Sequence, residues 1–294
     1  MTKSAMITII GRPNVGKSTL TNALVGEKVA IVSNKPQTTR NRICGIVPHG
    51  DTQFVLMDTP GFHKPRTRLG DYMVNVVKES VADVDLACML VEPVANMGAQ
   101  EQALIERLKQ THAPCVLCIN KIDTVDKARL LEVIAMYSQA YDFTTIIPIS
   151  ARTGEGLSEL LDEFEKYAAP GPHLYPEDMI TDQPERQICA ELLREKLLIC
   201  LAREVPHGTA VEVSKFSERP DGIIDIEMTI YCEKASHKGI IIGKNGSMLK
   251  KIGAMAREDI EQFLDAKVYL QTWVKVKENW RDSNSLLRNF GFEE

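Results

Sequence analysis

The stretch Gly11-Arg-Pro-Asn-Val-Gly-Lys-Ser-Thr-Leu20 decides the fold of the first half of this chain. It fits the pattern G-x-x-x-x-G-K-[ST], and it stands between the apolar run AMITIIG, which predicts a buried strand, and an amphipathic helical stretch. Glycines let backbone N–H groups close around phosphate oxygens, and the helix N-terminus adds a favourable dipole. In such a loop Lys17 pairs with the β- and γ-phosphates and the Ser18 hydroxyl ligates Mg²⁺. The alternative is a tight strand–helix turn that holds no ligand.

The region from residue 5 to residue 167 alternates short apolar runs with amphipathic helical stretches. Four runs after the first predict further strands: FVLMDTP, LACMLVE, PCVLCIN and TIIPIS. Continuous apolar strands that alternate with helices predict an α/β fold, with a mostly parallel sheet covered on both faces. A proline-rich stretch, AAPGPHLYPEDMITDQPE, then interrupts the pattern. We expect a P-loop domain at residues 1–169, a linker at 170–183, an α+β domain at 184–280 and a tail at 281–294.

Three further motifs follow predicted strands, at the sheet edge where open α/β sheets bind ligands. In Asp58-Thr-Pro-Gly61 the carboxylate can hold Mg²⁺ through water, and the Gly61 N–H can meet the γ-phosphate. In Asn120-Lys-Ile-Asp123 the last carboxylate can accept two hydrogen bonds from guanine, a donor pair that adenine lacks. Ser150-Ala151 can offer a backbone N–H to the guanine oxygen. The set predicts GTP binding, with GDP as product; a P-loop ATPase or small-molecule kinase is the alternative. The residues expected to bind GTP are Gly11, Arg12, Pro13, Asn14, Val15, Gly16, Lys17, Ser18, Thr19, Asp58, Thr59, Pro60, Gly61, Phe62, Asn120, Lys121, Ile122, Asp123, Ser150 and Ala151.

These motifs resemble those of the translation-factor-related GTPases. The resemblance implies two switch segments, the first at 33–40 (SNKPQTTR) and the second from Asp58 to about Gly70. In the first, Thr39 would ligate Mg²⁺, and Thr38 is the competing choice. Ser18, Thr39 and Asp58 are therefore the expected metal ligands.

A departure from this pattern concerns hydrolysis. Many such enzymes place a glutamine after the DxxG motif to orient the attacking water, but here Phe62 and His63 follow Gly61. Because phenylalanine cannot hold a water by a hydrogen bond, we expect slow intrinsic hydrolysis. In related enzymes an asparagine at the position of Asn14 binds K⁺ in place of an arginine finger; a loop-stabilising asparagine is the alternative. The expected catalytic residues are Lys17, Thr39, Gly61 and Asn14.

A second glycine loop, Gly243-Lys-Asn-Gly246, lacks the G-K-[ST] ending of a triphosphate loop. A two-residue tip between glycines lets the backbone approach a nucleic-acid strand, with lysines near its phosphates. The apolar Ile240–Ile242 run could line a groove for unstacked bases, the mode used by single-strand RNA binders of the KH type. A strand–helix turn with a solvated basic face is the alternative. The expected RNA-binding residues are Lys238, Gly239, Ile240, Ile241, Ile242, Gly243, Lys244, Asn245, Gly246, Lys250 and Lys251.

Over about 184–280 the elements around this loop are a helix, two strands, a helix that carries the loop, a second helix or an extension of that one, and a strand. This order matches the type II KH arrangement. The whole chain resembles the Era family of GTPases through KPQTTR, DTPGFHKP, NKID and GIIIGKNG together. The resemblance implies a role in assembly of the small ribosomal subunit, through binding the 3′ end of its ribosomal RNA. It also implies a loose association with the membrane surface. A scaffold that binds RNA regardless of nucleotide is the alternative, which the intact Lys17, Ser18, Asp58 and Asp123 oppose.

Composition sets the remaining expectations. Seven cysteines, an odd number in a 294-residue chain, favour reduced thiols in the cytoplasm, and no apolar stretch is long enough to predict a transmembrane helix. The pair Cys115-Val-Leu-Cys118 could suggest a metal or redox site, but alternation along a strand favours two core residues. The net charge is −5, yet six basic residues and no acidic one lie from Lys234 to Arg257. Packing of Trp280 on its domain is favoured over stacking of Trp280 and Arg281 on RNA. A monomer is expected.

Overall fold

The computed structural model describes residues 1–62, 65, 67–80 and 84–292, and within this part the chain forms two compact units. The N-terminal unit holds residues 1–30, 39–65 and 73–182. The C-terminal unit holds residues 183 onward and two segments from the first half of the chain, 31–38 and 66–72. The chain therefore passes from one unit to the other between Thr38 and Thr39, next to the expected metal ligand.

The N-terminal unit is built on a seven-stranded sheet in the order β2-β3-β1-β4-β5-β6, with β7 beside β1. Its strands are β1 (Lys3–Ile10), β2 (Ile43–His49), β3 (Thr52–Asp58), β4 (Leu86–Val91), β5 (Cys115–Ile119), β6 (Thr145–Pro148) and β7 (Ala169–Pro170). Its helices are α1 (Lys17–Val25), α2 (Arg68–Glu79, of which residues 73–79 belong to this unit), α3 (Ala99–Thr111), α4 (Lys127–Ala140) and α5 (Leu157–Glu165).

The prediction of a mostly parallel α/β sheet is confirmed, and two antiparallel strands complete it. Five strands run parallel to one another: β1, β3, β4, β5 and β6. β2 pairs antiparallel with β3, and β7 pairs antiparallel with β1. The sequence analysis did not predict β2. It is a hairpin partner that runs back along β3 after a tight turn at residues 50–51, so it needs no crossover helix.

Alternate residues of the central strands enter two core clusters, one on each face of the sheet. Val116 and Cys118 lie in one cluster, and Cys115, Leu117 and Ile119 lie in the other. Cys115 and Cys118 therefore face opposite sides of the sheet and cannot ligate one ion together. Burial raises the pKa of the Cys115 thiol well above its ordinary value. The interpretation of this pair as core residues fits the structure.

The C-terminal unit is a three-stranded sheet in the order β10-β9-β8, with α6 and α8 packed against it. β10 runs parallel to β9, and β8 runs antiparallel to it. This order of helices and strands is the one that the sequence predicts. The elements are α6 (Glu185–Cys200), β8 (Ala210–Glu218), β9 (Ile224–Cys232), α7 (Ala235–Ile242), α8 (Ser247–Leu264), β10 (Val268–Val276) and α9 (Asn284–Asn289).

The segments on either side of this unit are packed rather than loose. Trp280 is fully buried, and its indole N–H donates to the Gly208 carbonyl at 2.9 Å. Because the ring is buried, Trp280 supports the fold and cannot stack on RNA. Arg281 pairs with Glu233. The segment expected to be a linker lies along the N-terminal unit, where the Gln53 side chain bonds the backbone around Tyr175.

No helix in the described part of the chain is long and apolar enough to cross a membrane.

Candidate nucleotide site and nucleic-acid interface

The four predicted nucleotide motifs follow β1, β3, β5 and β6, and they meet at the carboxyl edge of the sheet. Gly16 adopts a φ of 103°, and a Cβ at this position would lie 2.3 Å from the Asn120 amide nitrogen. A Cβ on Gly61 would lie 2.8 Å from Pro13. Any side chain at either position would push the motifs apart. The glycines of the pattern thus allow the phosphate loop to pack against both the NKID and DTPG motifs.

Asn120 joins three loops through its side-chain amide. Its Nδ2 donates to the Val15 carbonyl at 2.8 Å, and its Oδ1 accepts from the Ala151 N–H at 2.9 Å. The residue is buried, so both bonds are shielded from water. Asn120 therefore fixes the phosphate loop and the Ser150-Ala151 loop to the end of β5.

Lys17 begins α1, and its ammonium group lies back over the phosphate loop. Its Nζ donates to the carbonyls of Gly11 at 3.2 Å and Arg12 at 3.1 Å. Burial lowers the pKa of Lys17 to about 8, although the nearby charge of Asp58 acts in the opposite direction. A phosphate oxygen at this point would supply the anion that a buried ammonium needs.

Ser18, Thr39 and Asp58, the expected metal ligands, form one cluster. The Ser18 hydroxyl donates to Asp58 Oδ2 at 2.7 Å and lies 2.8 Å from Thr39 Oγ1, which is 3.4 Å from the same carboxylate oxygen. Thr38 instead bonds Ser33 and the Lys35 carbonyl. The geometry therefore favours Thr39 over Thr38.

The second carboxylate oxygen of Asp58, Oδ1, is buried and available to a cation. Asp58 is fully buried, and its Oδ1 has no hydrogen-bond partner within the described residues. Burial raises the pKa of Asp58 to about 6, against the opposing effects of Lys17, Ser18 and Thr39. Two hydroxyls and a carboxylate with an unused oxygen are a donor set that suits a hard cation such as Mg²⁺.

At the NKID end of the same sheet edge, two residues hold the carboxylate of Asp123. Ser150 Oγ donates to Asp123 Oδ1 at 2.7 Å, and Arg152 pairs with Oδ2. The Ser150 hydrogen bond, followed by the charge of Arg152, holds the pKa of Asp123 below its ordinary value despite some burial. The carboxylate is therefore ionised near neutral pH, as acceptance of two guanine N–H bonds requires. Arg152 was not predicted from the sequence.

The residues after the DTPG motif are described only in part. The Phe62 N–H donates to the Gly11 carbonyl at 3.2 Å, and its ring packs against the core cluster beneath α3 and α4. His63 and Lys64, and with them part of the expected second switch, lie outside the described residues.

The remaining predicted nucleotide residues lie in the loops of the same sheet edge. Val15 is buried in the core, Thr19 is in the first turn of α1, and the Thr59 hydroxyl donates to the Ile9 carbonyl at 2.8 Å. Ile122 begins a short 3₁₀ turn, Ile122–Thr124. Pro60 follows Thr59 directly.

The second glycine loop joins two helices, α7 and α8, so it is not a strand–helix turn. Gly243 has a φ of 72°, and a Cβ there would lie 2.7 Å from the Met248 Cβ, so a side chain would not fit. Lys244 and Asn245 at the tip are exposed, as are Lys250 and Lys251 on α8. The loop thus presents backbone and positive charge to solvent together.

A groove runs beside this loop, between α8 and β10, with a volume of about 480 Å³. Small residues on α8 form part of its wall, and two cations, Lys250 and Arg257, are among its lining residues. None of the three isoleucines expected to line a groove is among its lining residues: Ile241 is fully buried in the core, and Ile240 and Ile242 lie on α7, with Ile240 exposed. Its lining residues are Gly246, Leu249, Lys250, Gly253, Ala254, Arg257, Val268, Tyr269, Leu270 and Thr272.

The groove could have been found in the sequence. Gly246, Leu249, Gly253 and Arg257 recur at spacings of three and four, which place them on one face of a helix.

Two family models match the chain, and together they define its class. Residues 6–121 match the family described as "50S ribosome-binding GTPase", and residues 204–281 match the KH domain. The protein is a GTPase with a C-terminal KH domain.

Relatives and solved structures match over the whole length. GTPase Era of Ruminiclostridium cellulolyticum is 54% identical over 291 residues, which cover 99% of this chain and 98% of that protein. GTPase Era of Clostridium kluyveri is 52% identical over 293 residues, covering all of both chains. A crystal structure of Era with MgGDPNP and nucleotides 1506–1542 of 16S ribosomal RNA has a TM-score of 0.96 at 36% identity and covers all of both chains. An Aquifex aeolicus Era variant bound to GDP and AlF4⁻ has a TM-score of 0.95 at 36% identity and covers 99% of this chain and 100% of that one. The chain belongs to the GTPase Era family.

Asp123→Asn tests the base-recognition end of the site. The amide would present an N–H where guanine also donates, so GTP affinity should fall by at least about 100-fold while affinity for the xanthine nucleotide rises. Competition of GTP, XTP and ATP against a fluorescent GDP measures both changes. Asp142→Asn, at an exposed position, is the control. Unchanged GTP affinity in Asp123→Asn would remove this residue from base recognition.

Asp58→Asn tests how much the buried, ionised carboxylate lowers the free energy of unfolding in protein freed of nucleotide and Mg²⁺. A folded-state pKa raised to about 6 means that the contribution of Asp58 to stability is complete below pH 4 and is lost as the pH rises through 6. Asparagine does not ionise, so the variant should match the native protein near pH 4 and be more stable at pH 7 by about 3 kcal/mol, the free energy that corresponds to a pKa raised from 3.8 to about 6.

The measurement is hydrogen exchange of the β1 and β3 amides in EDTA, comparing variant and native protein at each pH. Asp142→Asn should show no such dependence. A lower stability of Asp58→Asn at pH 7 would contradict the argument.

Proposed function

We propose that this GTPase binds Mg²⁺–GTP at the N-terminal unit and single-stranded RNA near the 3′ end of small-subunit ribosomal RNA at the KH groove, and acts in assembly of that subunit. The observation that carries the proposal is the match, over the full length and at a TM-score of 0.96, to an Era structure that holds MgGDPNP and a 16S ribosomal RNA fragment. The GTPase model whose description names the 50S ribosome covers only residues 6–121, so it does not bear on the RNA-binding half.

Mg²⁺ fits the cluster of Ser18, Thr39 and Asp58, because Asp58 carries a buried oxygen that no described residue pairs. The ion would neutralise charge on the β- and γ-phosphates. Ser18 and Thr39 supply hydroxyl oxygens, Asp58 supplies the negative charge, and Lys17 supplies a second cation on the phosphate side. Gly61 packs closely on Pro13 of the phosphate loop, and we assign its N–H to a γ-phosphate oxygen.

Slow intrinsic hydrolysis follows from Phe62. Its ring packs into the core, and it carries no group that orients a water molecule. Potassium at Asn14 would supply the missing positive charge. Asn14 is exposed on the phosphate loop with a φ of 67°, and we assign its side-chain oxygen to the ion.

GTP turnover in KCl and in NaCl tests the role of Asn14. K⁺ should raise the rate by at least about tenfold, and Asn14→Ala should lose that increase, since a cation near the phosphates replaces an arginine finger. The fluorescent-GDP assay checks that the variant still binds nucleotide. Equal rates in the two salts, or rapid turnover without potassium, would contradict the assignment.

RNA binding rests on the loop and the groove together. Lys244 and Asn245 lie at the tip where a phosphate backbone can approach, and Lys250, Lys251 and Arg257 follow on the exposed side of α8. The apolar wall formed by Leu249 and Leu270, with Gly253 and Ala254, suits unstacked bases.

The first switch segment supports communication between nucleotide and RNA. Residues 31–38 cluster with the C-terminal unit, where Val32 N–H donates to Glu195 Oε1 at 2.9 Å and Arg194 donates to the Thr38 carbonyl. Thr39, the next residue, belongs to the expected Mg²⁺ cluster. A movement of Thr39 on binding of Mg²⁺–GTP would therefore also displace the preceding segment, residues 31–38, which belongs to the C-terminal unit.

Lys244→Asp with Asn245→Asp tests the clamp. Two carboxylates facing phosphate should weaken binding of a 3′-terminal small-subunit rRNA fragment by at least about 100-fold, with GTP affinity unchanged. The matched control is Ser217→Asp with Lys277→Asp, which alters the charge equally at exposed positions outside the groove. Titration at two salt concentrations measures how strongly RNA affinity depends on salt, and this dependence should become weaker when phosphate contacts are lost. Full RNA affinity in the clamp variant would refute the site.

Titration of the same RNA in GDP and in a nonhydrolysable GTP analogue tests the linkage. The two affinities should differ, and RNA should then change GTP affinity by the same factor. Equal affinities in both states would favour a scaffold that binds RNA regardless of nucleotide.

We also propose that the protein acts in the cytoplasm, as a monomer, with peripheral contact to the inner face of the cell membrane. The seven free cysteines agree with a reducing compartment.

A further inference from the structure

Four charged side chains form a chain of contacts beside the nucleotide site. Glu92, the residue after β4, pairs with both Arg12 and Lys121. Arg12 Nε also lies 3.3 Å from Glu101 Oε1, and Lys121 Nζ donates to the Asn14 carbonyl at 2.7 Å.

The position of Glu92 follows from the sheet order. β4 lies between β1, which leads into the phosphate loop, and β5, which leads into the NKID motif. A side chain at the end of β4 can therefore reach both loops, one on each side. Arg12 belongs to the first loop and Lys121 to the second.

These contacts are partly shielded from solvent. The exposed fraction is 25% for the Glu92 side chain and 5% for that of Glu101, with Arg12 and Lys121 at 32% and 37%. Burial alone would raise the pKa of Glu92, but the hydrogen bond and charge of Lys121, with those of Arg12, hold it below its ordinary value. Screening by salt is weaker here than at the open surface.

We propose that Glu92 is a positioning residue for guanine nucleotide binding, which holds the phosphate loop and the base-recognition loop at a fixed separation through Arg12 and Lys121. A nucleotide must satisfy both loops at once, so its affinity depends on that separation being set before it binds. Glu92 acts through these two side chains and touches neither the phosphates nor the base. The inference rests on the GTPase activity of the N-terminal unit and is independent of RNA.

Without the charge of Glu92, Arg12 would still contact the carboxylate of Glu101, but Lys121 would lose the carboxylate with which it pairs. The two cations would repel, and the Lys121 loop would lose its tie to β4. Binding should weaken for GTP and GDP alike, because both fill the base and phosphate loops. The rate of the chemical step should change little, since the side chains of Glu92, Arg12 and Lys121 are not among those assigned to the γ-phosphate, Mg²⁺ or K⁺.

Glu92→Gln, which keeps the shape and removes the charge, is the test. The KM for GTP and the dissociation rate of fluorescent GDP should both rise about tenfold, with kcat within about twofold. Glu132→Gln, which removes an exposed carboxylate paired with Arg129 at 2.8 Å, should change neither. An unchanged KM, or a fall in kcat at unchanged KM, would overturn the proposal.

Substitutions at Arg12 provide the second arm. Arg12→Lys keeps the charge and should retain most of the affinity, whereas Arg12→Met should weaken it. The double variant Arg12→Met with Glu92→Gln should lose less affinity for nucleotide than the sum of the two single losses, because both substitutions remove the same contact. Additive losses would overturn the proposal, and this arm stands even if Glu92→Gln fails to fold. Absence of GTP turnover in the native protein would instead refute the nucleotide site as a whole.

Discussion

The amide side chain of Asn120 is the constraint on which the nucleotide site depends. One buried group bonds the phosphate loop through the Val15 carbonyl and the Ser150-Ala151 loop through the Ala151 N–H. Parallel strands deliver these loops to one edge of the sheet, but strand geometry alone would leave them free to move apart. Asn120 removes that freedom with two hydrogen bonds, and Gly16 permits the close approach that the bonds require. Asp123 and Lys121 then occupy fixed positions relative to Lys17.

Glycines have different structural roles in the two glycine loops. In the first, Gly16 and Gly61 allow Asn120 and Pro13 to pack closely, so protein atoms enclose much of the loop although Asn14 stays exposed. In the second, Gly243 packs on the start of α8, while the tip residues Lys244 and Asn245 stay exposed. An enclosed loop suits a compact triphosphate, and an exposed tip beside a long groove suits a polymer that extends beyond the protein.

Much of this architecture could be predicted from the sequence because it depends on local pattern. Continuous apolar runs predicted β1, β3, β4, β5 and β6, and motif spacing predicted which residues meet at the sheet edge. β2 was missed because Ile43–His49 contains Gly45 and Pro48, which weaken the strand pattern, and its stability comes from pairing with β3. The Ile240–Ile242 run was read by its apolarity as a groove wall, but in α7 Ile241 packs into the core. Glu92 and Arg152 were missed for another reason: the partners that give them a role lie far away in sequence.

The uneven charge of the chain bears on how the protein finds one RNA among many. The groove and the helices beside it carry the six cations between Lys234 and Arg257, whereas the rest of the chain is more acidic than the net charge of −5 suggests. Beyond about 10 Å salt largely screens these charges, so an RNA molecule is repelled by the acidic surface, or attracted by the basic groove, only at closer approach. Most encounters would therefore be brief and unproductive, and residence would require a strand that already presents unpaired bases. The charge pattern thus limits where any RNA can settle on the protein before a base is read.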